Sequence, residues 1–353
     1  MKIAQVVATT GAEAHSRDIE RSAGYLTTQL VADGHEVTLL TCVVATSPVF
    51  SSSRVRSRLR PMPDSLDRLI AEHSNFDVIH LHGDLRRLSA LHDIVTPIVA
   101  TMYAHPTPAT LAARSPLPEP TLIALTDYQR ALFMGLRWHG TILPGLPERL
   151  HTFHIDSENY LAYVGPLQSM TGVRRALEAA LHSGLPLKIA DRIVGRELRQ
   201  LEQQLAPYIE RGASVEFVGE MEPGPLGDFL GRARALLFMD EWSTPLPLVL
   251  LDALACGTPI IAWRSGTSET VVRDGETGFL ASSVDDAALA IRRLHEINRL
   301  ACRRMFDERF SVKRMTHEYV RLYEDVQRAA CRPLVSDAGG LLPRAELGQD
   351  GMV

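Results

Sequence analysis

Between Leu248 and Ala281 the chain reads LVLLDALACGTPIIAWRSGTSETVVRDGETGFLA. This is the order helix, glycine turn, buried strand, glycine-rich loop. In a parallel sheet that order sets the backbone N–H groups of Gly266, Thr267, Ser268 and Glu269 at the carboxyl end of a strand, where α/β folds hold anions of nucleotides. The plain alternative is an ordinary strand–helix turn. Asp252 sits on the apolar helix before that strand, and a carboxylate buried there needs a partner, from the protein or from a ligand. His80 and His82 are two apart on a strand and share one face. They are either cleft-lining groups or core histidines satisfied by backbone. Arg54, Arg56, Arg58 and Arg60 alternate with Val55, Ser57 and Leu59. Extended, they make a basic ladder, which fits a solvated edge strand better than an anion grip, because charge on an edge prevents further pairing. The guanidinium of Arg17 suits paired phosphate oxygens.

The elements that must position these groups follow an α/β rhythm. Residues 2–9 form an apolar run, as for a strand covered on both faces. Residues 18–33 carry Ile19, Ala23, Leu26 and Leu30 at helical spacing, and Gly34 suits the left-handed position after them. Residues 35–41 make the next strand, a right-handed βαβ opening. A helix at 65–73 and strands at 76–82, 96–101, 122–126 and 141–143 complete the first half. In the second half strands fall at 161–164, 187–190, 215–218, 235–239 and 259–263. Helices fall at 172–182, 195–210, between the strands at 215–218 and 235–239, and at 248–255, 284–296 and 298–308. Ser311 caps a last helix to about residue 327, with Met315, Tyr319, Leu322 and Val326 on one side. The fold class is therefore α/β, with two doubly wound domains facing one cleft.

Bulk properties agree. A chain of 353 residues, 45% apolar and 22% charged, holds two α/β cores. A net charge of −5 gives no reason to expect general nucleic-acid binding. The four cysteines, Cys42, Cys256, Cys302 and Cys331, lack metal-ligand spacing and suit free thiols. The N-terminus reads as a buried strand rather than a signal peptide. No run approaches the roughly 18 apolar residues of a membrane span. These features predict a cytoplasmic protein without a transmembrane segment.

From residue 1 to about 327 the chain resembles the GT-B glycosyltransferases of the retaining family-4 type. The resemblance is carried in order by GYLTTQLVADGHEVTLL, FDVIHLHG, LIALTDYQRALF, YLAYVGPLQSMTGVRRALEAA, LPLKIA, VEFVGE, ARALLF, the 248–281 stretch and ERFSVKRMTHEY. It implies a Rossmann-like acceptor-side domain (1–148), a Rossmann-like nucleotide-sugar-side domain (149–310), a helix crossing back onto the first (311–330) and a tail (331–353). It also implies sugar transfer from a nucleotide diphosphate with retention of configuration, the substrates being a nucleotide sugar and a small-molecule or glycan acceptor. No cofactor or metal is expected.

Several positions depart from the family's pattern. Where the family writes Gly-Arg and then Lys-Gly, this chain has Gly165-Pro166 and Thr171-Gly172. Losing two charge-assisted contacts to the diphosphate would cost roughly 3–6 kcal/mol, about two to four decades of affinity. The family's paired glutamates fall on Thr244 and Asp252. Asp252 keeps a carboxylate for a ribose hydroxyl, and Glu241 is the nearest compensating acid. Gly11 remains in the turn after the first strand, but Arg17-Asp18 stand at the Gly-Gly positions. The family histidine is matched by Tyr103, with His105 two residues on. The expected catalytic group is therefore Tyr103, His105 and Glu241. The expected donor-binding group is Gly11, Arg17, Gly165, Thr171, Thr244, Asp252 and Gly266 to Glu269. Arg17, Arg264 or Lys188 are the candidate replacements for the missing cations. A non-glycosyl coupling on the same fold and a non-catalytic binding subunit are the alternatives; donor base, sugar, acceptor and oligomeric state are left open.

Overall fold

The computed structural model describes residues 1–8, 16–41, 56–59, 67, 69–83, 94–104, 120–165, 167, 170–191, 196–240 and 245–330. Two parallel sheets organise them. The first contains β1 (Lys2–Ala8), β2 (Glu36–Thr41), β3 (Arg56–Leu59), β4 (Val78–Gly83), β5 (Ile98–Met102), β6 (Thr121–Ala124) and β7 (Trp138–Thr141), in the order β3-β2-β1-β4-β5-β6-β7. The second contains β8 (Leu161–Val164), β9 (Leu187–Ala190), β10 (Val215–Phe217), β11 (Ala235–Phe238), β12 (Ile260–Trp263) and β13 (Gly278–Ala281), in the order β10-β9-β8-β11-β12-β13. Each order reverses once, between β1 and β4 and between β8 and β11. In open α/β sheets the crevice outside the strand ends at such a reversal takes the ligand.

The helices are α1 (Ser16–Ala32), α2 (Asp127–Leu132), α3 (Met170–Ser183), α4 (Arg196–Glu210), α5 (Pro223–Arg232), α6 (Leu248–Cys256), α7 (Gly266–Val271), α8 (Val284–Arg292), α9 (Arg299–Arg309) and α10 (Val312–Ala330). α1 buries Ile19, Ala23, Leu26 and Leu30, the stripe its spacing predicts. α6 is buried along its whole length, Asp252 included, which is why it reads as apolar throughout. It stops at Gly257, whose φ of 79° is the left-handed cap that glycine adopts at little cost.

Two stitches join the halves. The Leu146 N–H donates to Phe310 O at 2.9 Å and the Val312 N–H to Leu146 O at 2.8 Å. Gly145 lies so close to the Ser311 carbonyl that a Cβ there would overlap it. α10 then packs on α1 and buries Met315, Tyr319, Leu322 and Tyr323. One core cluster runs through Ile3 and Leu26 of the first half, Tyr323 of α10, and Leu161 and Phe306 of the second.

Some elements differ from the sequence expectation. β7 begins at Trp138, three residues before the predicted strand. β13, α2 and α7 are too short, at four and six residues, to show periodicity. Arg56 and Arg58 fall on β3, which is the edge of its sheet as the ladder reading requires. Arg54, Arg60, Cys42, Cys331 and the 331–353 tail lie outside the described residues. Among the described residues, no helix is long and apolar enough to cross a membrane.

Candidate active site between the two sheets

The first turn and a half of α1 reaches across to the second half. Asp18 Oδ2 accepts the Leu248 N–H at 3.1 Å, at the first turn of α6. The residue preceding α6, Pro247, offers no side-chain cap, so the cap comes from a residue 230 positions away. Arg21 grips Asp252 with both ends of its fork, Nη1 to Oδ2 at 3.0 Å and Nη2 to Oδ1 at 2.7 Å. His151, on the segment joining the halves, donates Nε2–H to the same Oδ1 at 2.6 Å. Arg17 forms an ion pair with Glu220.

The electrostatics follow from burial. Asp252 has no exposed surface. Burial alone would raise its carboxyl, but the Arg21 charge and the His151 hydrogen bond more than offset that and hold it at about 2. Asp18 ends on the other side of the balance. Burial pushes it up, against the pull of Arg21 and the Leu248 N–H. Asp252 thus meets the requirement for a partner with protein groups. Arg21 and His151 between them take both of its carboxylate oxygens, Oδ1 twice and Oδ2 once. A side chain one methylene shorter than glutamate holds its carboxylate closer to α6, inside the clamp.

The crevice between β8 and β11 is built around a second carboxylate. Gly165 directly follows β8, and Thr171 is exposed on the first turn of α3. Asp240, just after β11, accepts the Gly172 N–H at 3.0 Å and the Tyr163 hydroxyl at 2.9 Å. A Cβ on Gly172 would overlap that carboxylate. The start of α3, where the resemblance implies Lys-Gly under a diphosphate, already holds an internal anion. Arg175 donates to Met239 O at 3.1 Å and lies 3.7 Å over the Trp263 ring. It is a cation at this crevice that the sequence pattern did not single out, although it stands one turn beyond Thr171.

The glycine-rich loop corrects an expectation. Ser265 caps α7, and Ser265 and Ser268 bond reciprocally in a capping box. The Ser268 N–H goes to Ser265 Oγ and the Glu269 N–H to Ser265 O, so those two amides are consumed internally rather than offered to an anion. The Glu269 side chain pairs with Arg264 at 3.1 Å. Gly266 is covered by the Tyr128 ring of α2, which leaves no space for a Cβ. Thr267 is buried. This loop is a packing joint between the halves. Beside it, a cavity of about 590 Å³ is lined by Asp127, Arg130, Thr141, Thr270, Arg309 and Arg314.

Tyr103 is corrected as well. It is 4% exposed, and its hydroxyl lies 3.0 Å from His82 Nδ1 and 3.0 Å from Ser22 Oγ. It belongs to a buried network. His82 Nε2 meets Gln5 Oε1 at 2.5 Å, Gln5 Nε2 donates to the Tyr323 hydroxyl at 3.2 Å, and that hydroxyl lies 2.6 Å from His80 Nδ1. His80 Nε2 meets Thr101 Oγ1 at 2.8 Å, which lies 2.8 Å from the Tyr319 hydroxyl. An amide oxygen only accepts, so His82 carries its proton on Nε2. Burial drives both imidazoles neutral, His82 down to about 3 and His80 well below its ordinary value. The histidines are core groups satisfied by side chains rather than by backbone. Gly11, His105, Pro166, Glu241 and Thr244 lie outside the described residues.

Comparison with known proteins fits this architecture. Residues 149–308 match the model of glycosyl transferases group 1. The phosphatidyl-myo-inositol mannosyltransferase of Mycobacterium leprae is 27% identical over 276 residues, covering 68% of this chain and 69% of that protein. The D-inositol 3-phosphate glycosyltransferase of Acidothermus cellulolyticus is 34% identical over 139 residues, 36% of this chain and 31% of that protein. The chain thus spans about two thirds of the first relative's length and under a third of the second's. The crystal structure of Anabaena HepE in complex with UDP-glucose superposes with a TM-score of 0.72 at 13% identity, covering 92% of this chain and 100% of that one. The fold is GT-B, and its second half matches the group 1 glycosyl transferases. The solved structure of AviGT4, a glycosyltransferase involved in avilamycin A biosynthesis, shares the fold with a TM-score of 0.67 at 18% identity, over 93% of this chain and 98% of that one. The group 1 match covers the second sheet, and α10, which follows it, returns to pack on α1 of the first half.

Proposed function

We propose that the protein transfers a sugar from a nucleotide diphosphate to a hydroxyl of a small polyol acceptor, with retention at the anomeric carbon. The observation that carries the reading is the group 1 match at 149–308 on the second of two doubly wound sheets, with α1 of the first half reaching Asp252 and Leu248 of the second. The acceptor oxygen attacks the anomeric carbon, the bond to the diphosphate breaks, and the acceptor proton leaves with the diphosphate. The protein contributes oriented amides and cations that stabilise the leaving diphosphate. A polyol acceptor is supported by two relatives whose names specify inositol compounds.

The donor seat is the crevice of Gly165, Thr171, Asp240 and Arg175, reached when the α1 clamp on Asp252 separates. Asp240 stands in that seat and holds the Gly172 N–H at the start of α3, and Arg21 is already paired with Asp252. Weak binding of the free diphosphate, relative to the family's pattern, is the consequence. The reaction is written without a metal, and chelation with EDTA is expected to leave it unchanged. We place it in the cytoplasm, where the buried thiols of Cys256 and Cys302 stay reduced. The test is a thermal-shift screen over uridine, guanosine and adenosine diphosphate sugars, followed by mass spectrometry of products with inositol and inositol phosphate. One base raising the melting temperature and one glycosylated product support the proposal. A screen in which no nucleotide shifts the protein overturns it.

A further inference from the structure

The diphosphate cations implied by the family are missing, and the replacements suggested by sequence are engaged elsewhere. Arg17 pairs with Glu220, Lys188 lies 3.1 Å from Glu216, and Arg264 lies 3.1 Å from Glu269, each on a side chain at least partly open to solvent. Arg21 is different. Its side chain is 13% exposed, and from α1, one turn after Asp18, it reaches across to the Asp252 carboxylate of α6. Asp252 is the position where the resemblance puts a ribose carboxylate, so the next group along a bound donor is its diphosphate.

We infer that Arg21 is the specificity-determining cation of the donor site, exchanging the Asp252 carboxylate for donor phosphate oxygens while Asp18 yields the first turn of α6. The inference rests on the transfer reading above. Its physical basis is the match between what is present and what must arrive. A guanidinium fork that binds a carboxylate through two parallel hydrogen bonds binds two phosphate oxygens in the same way. The Leu248 N–H, which now takes a carboxylate oxygen, takes a phosphate oxygen equally well. The donor therefore replaces two carboxylates by one diphosphate of the same total charge, and Asp252 is released to accept ribose hydroxyls. Arg21 also carries its desolvation in the closed state, since Tyr25 Oη and Asp252 already surround it.

Inorganic pyrophosphate tests this without knowledge of the base. Isothermal titration of the full chain is run on wild type, R21Q, R21K and D18N, with melting temperatures as the folding control. The expected result is measurable pyrophosphate binding to wild type, weakened about tenfold or more in R21Q. R21K falls between the two. D18N binds about tenfold more tightly, because a competing anion is gone while the amide side chain still reaches the Leu248 N–H. If R21Q does not fold, R21K and D18N carry the test. Pyrophosphate affinity unchanged across the folded variants, or no binding to wild type at millimolar concentration, overturns the inference. Sugar transfer by wild type alongside unchanged affinity in the variants removes Arg21 from the site and leaves the transfer reading standing. Lost affinity in R21Q with no transfer to any acceptor does the reverse.

Discussion

At the scale of single residues, Asp252 decides how the two halves meet. A carboxylate with no exposed surface takes three hydrogen bonds, two from Arg21 and one from His151. Breaking such a pair from one side strands the other charge, so R21A is expected to cost about 3–5 kcal/mol of stability, read as a fall in the urea midpoint. The pH dependence has a definite sign. The Asp252 carboxyl is held at about 2, below the ordinary 3.8 of the unfolded chain. Its contribution is complete above 3.8 and is lost as pH falls from there through about 2. The carboxylate was legible in the sequence as a group in need of a partner. Its partner was not, because Arg21 lies 231 residues away on a helix whose spacing shows only which face is apolar. Gly266 taught a similar lesson. Its neighbours Ser265 and Ser268 spell a capping box as readily as an anion loop, and only the position of Tyr128 shows that the glycine serves close packing.

At the scale of elements, α10 is bound to the first sheet by polar chemistry as well as by apolar area. Tyr319 and Tyr323 enter the network of Gln5, His80, His82 and Thr101 from a helix that begins beyond the second domain. Removing the Tyr323 hydroxyl leaves Gln5 Nε2 and His80 Nδ1 without their partner. Y323F should therefore lose about 1–3 kcal/mol, checked by chemical unfolding. Both imidazoles are neutral in the fold, with His82 at about 3 against 6.5 unfolded. For a base whose folded pKa is depressed, the unfolded chain gains the proton first. Stability is then full above 6.5 and falls below it, by about 1.4 kcal/mol per pH unit for each histidine. Melting temperature should drop steadily between pH 6.5 and 4.5 and less steeply in H82Q. The apolar stripe of α10 was readable from Met315, Tyr319 and Leu322. The tyrosine hydroxyls were not, since nothing local distinguishes a core phenol from a bonded one.

At the scale of the molecule, alternation of strand and helix gave both Rossmann-like halves and the returning helix, because apolar runs and glycine stops are local signals. Short pieces escaped it, such as β13 and α7, whose places are set by the sheet rather than by their own periodicity. The halves are held by the Leu146–Phe310 and Leu146–Val312 bonds, by α10, and by the α1 clamp. G145A, which drives a Cβ into the Ser311 carbonyl, should loosen the junction and lower the melting temperature, while leaving far-UV dichroism near wild type. If, as proposed, a donor enters by separating this clamp, a bound nucleotide should protect the amide of Leu248 differently from the free protein in hydrogen exchange.

Transfer from a nucleotide diphosphate is the property on which the proposed function depends. The most direct measurement is proton NMR of the product formed from an α-linked nucleotide sugar and an inositol acceptor. An α-configured glycoside should appear with free nucleoside diphosphate in equal amounts. A β-configured product, or a full panel of donors returned intact, contradicts the proposed function.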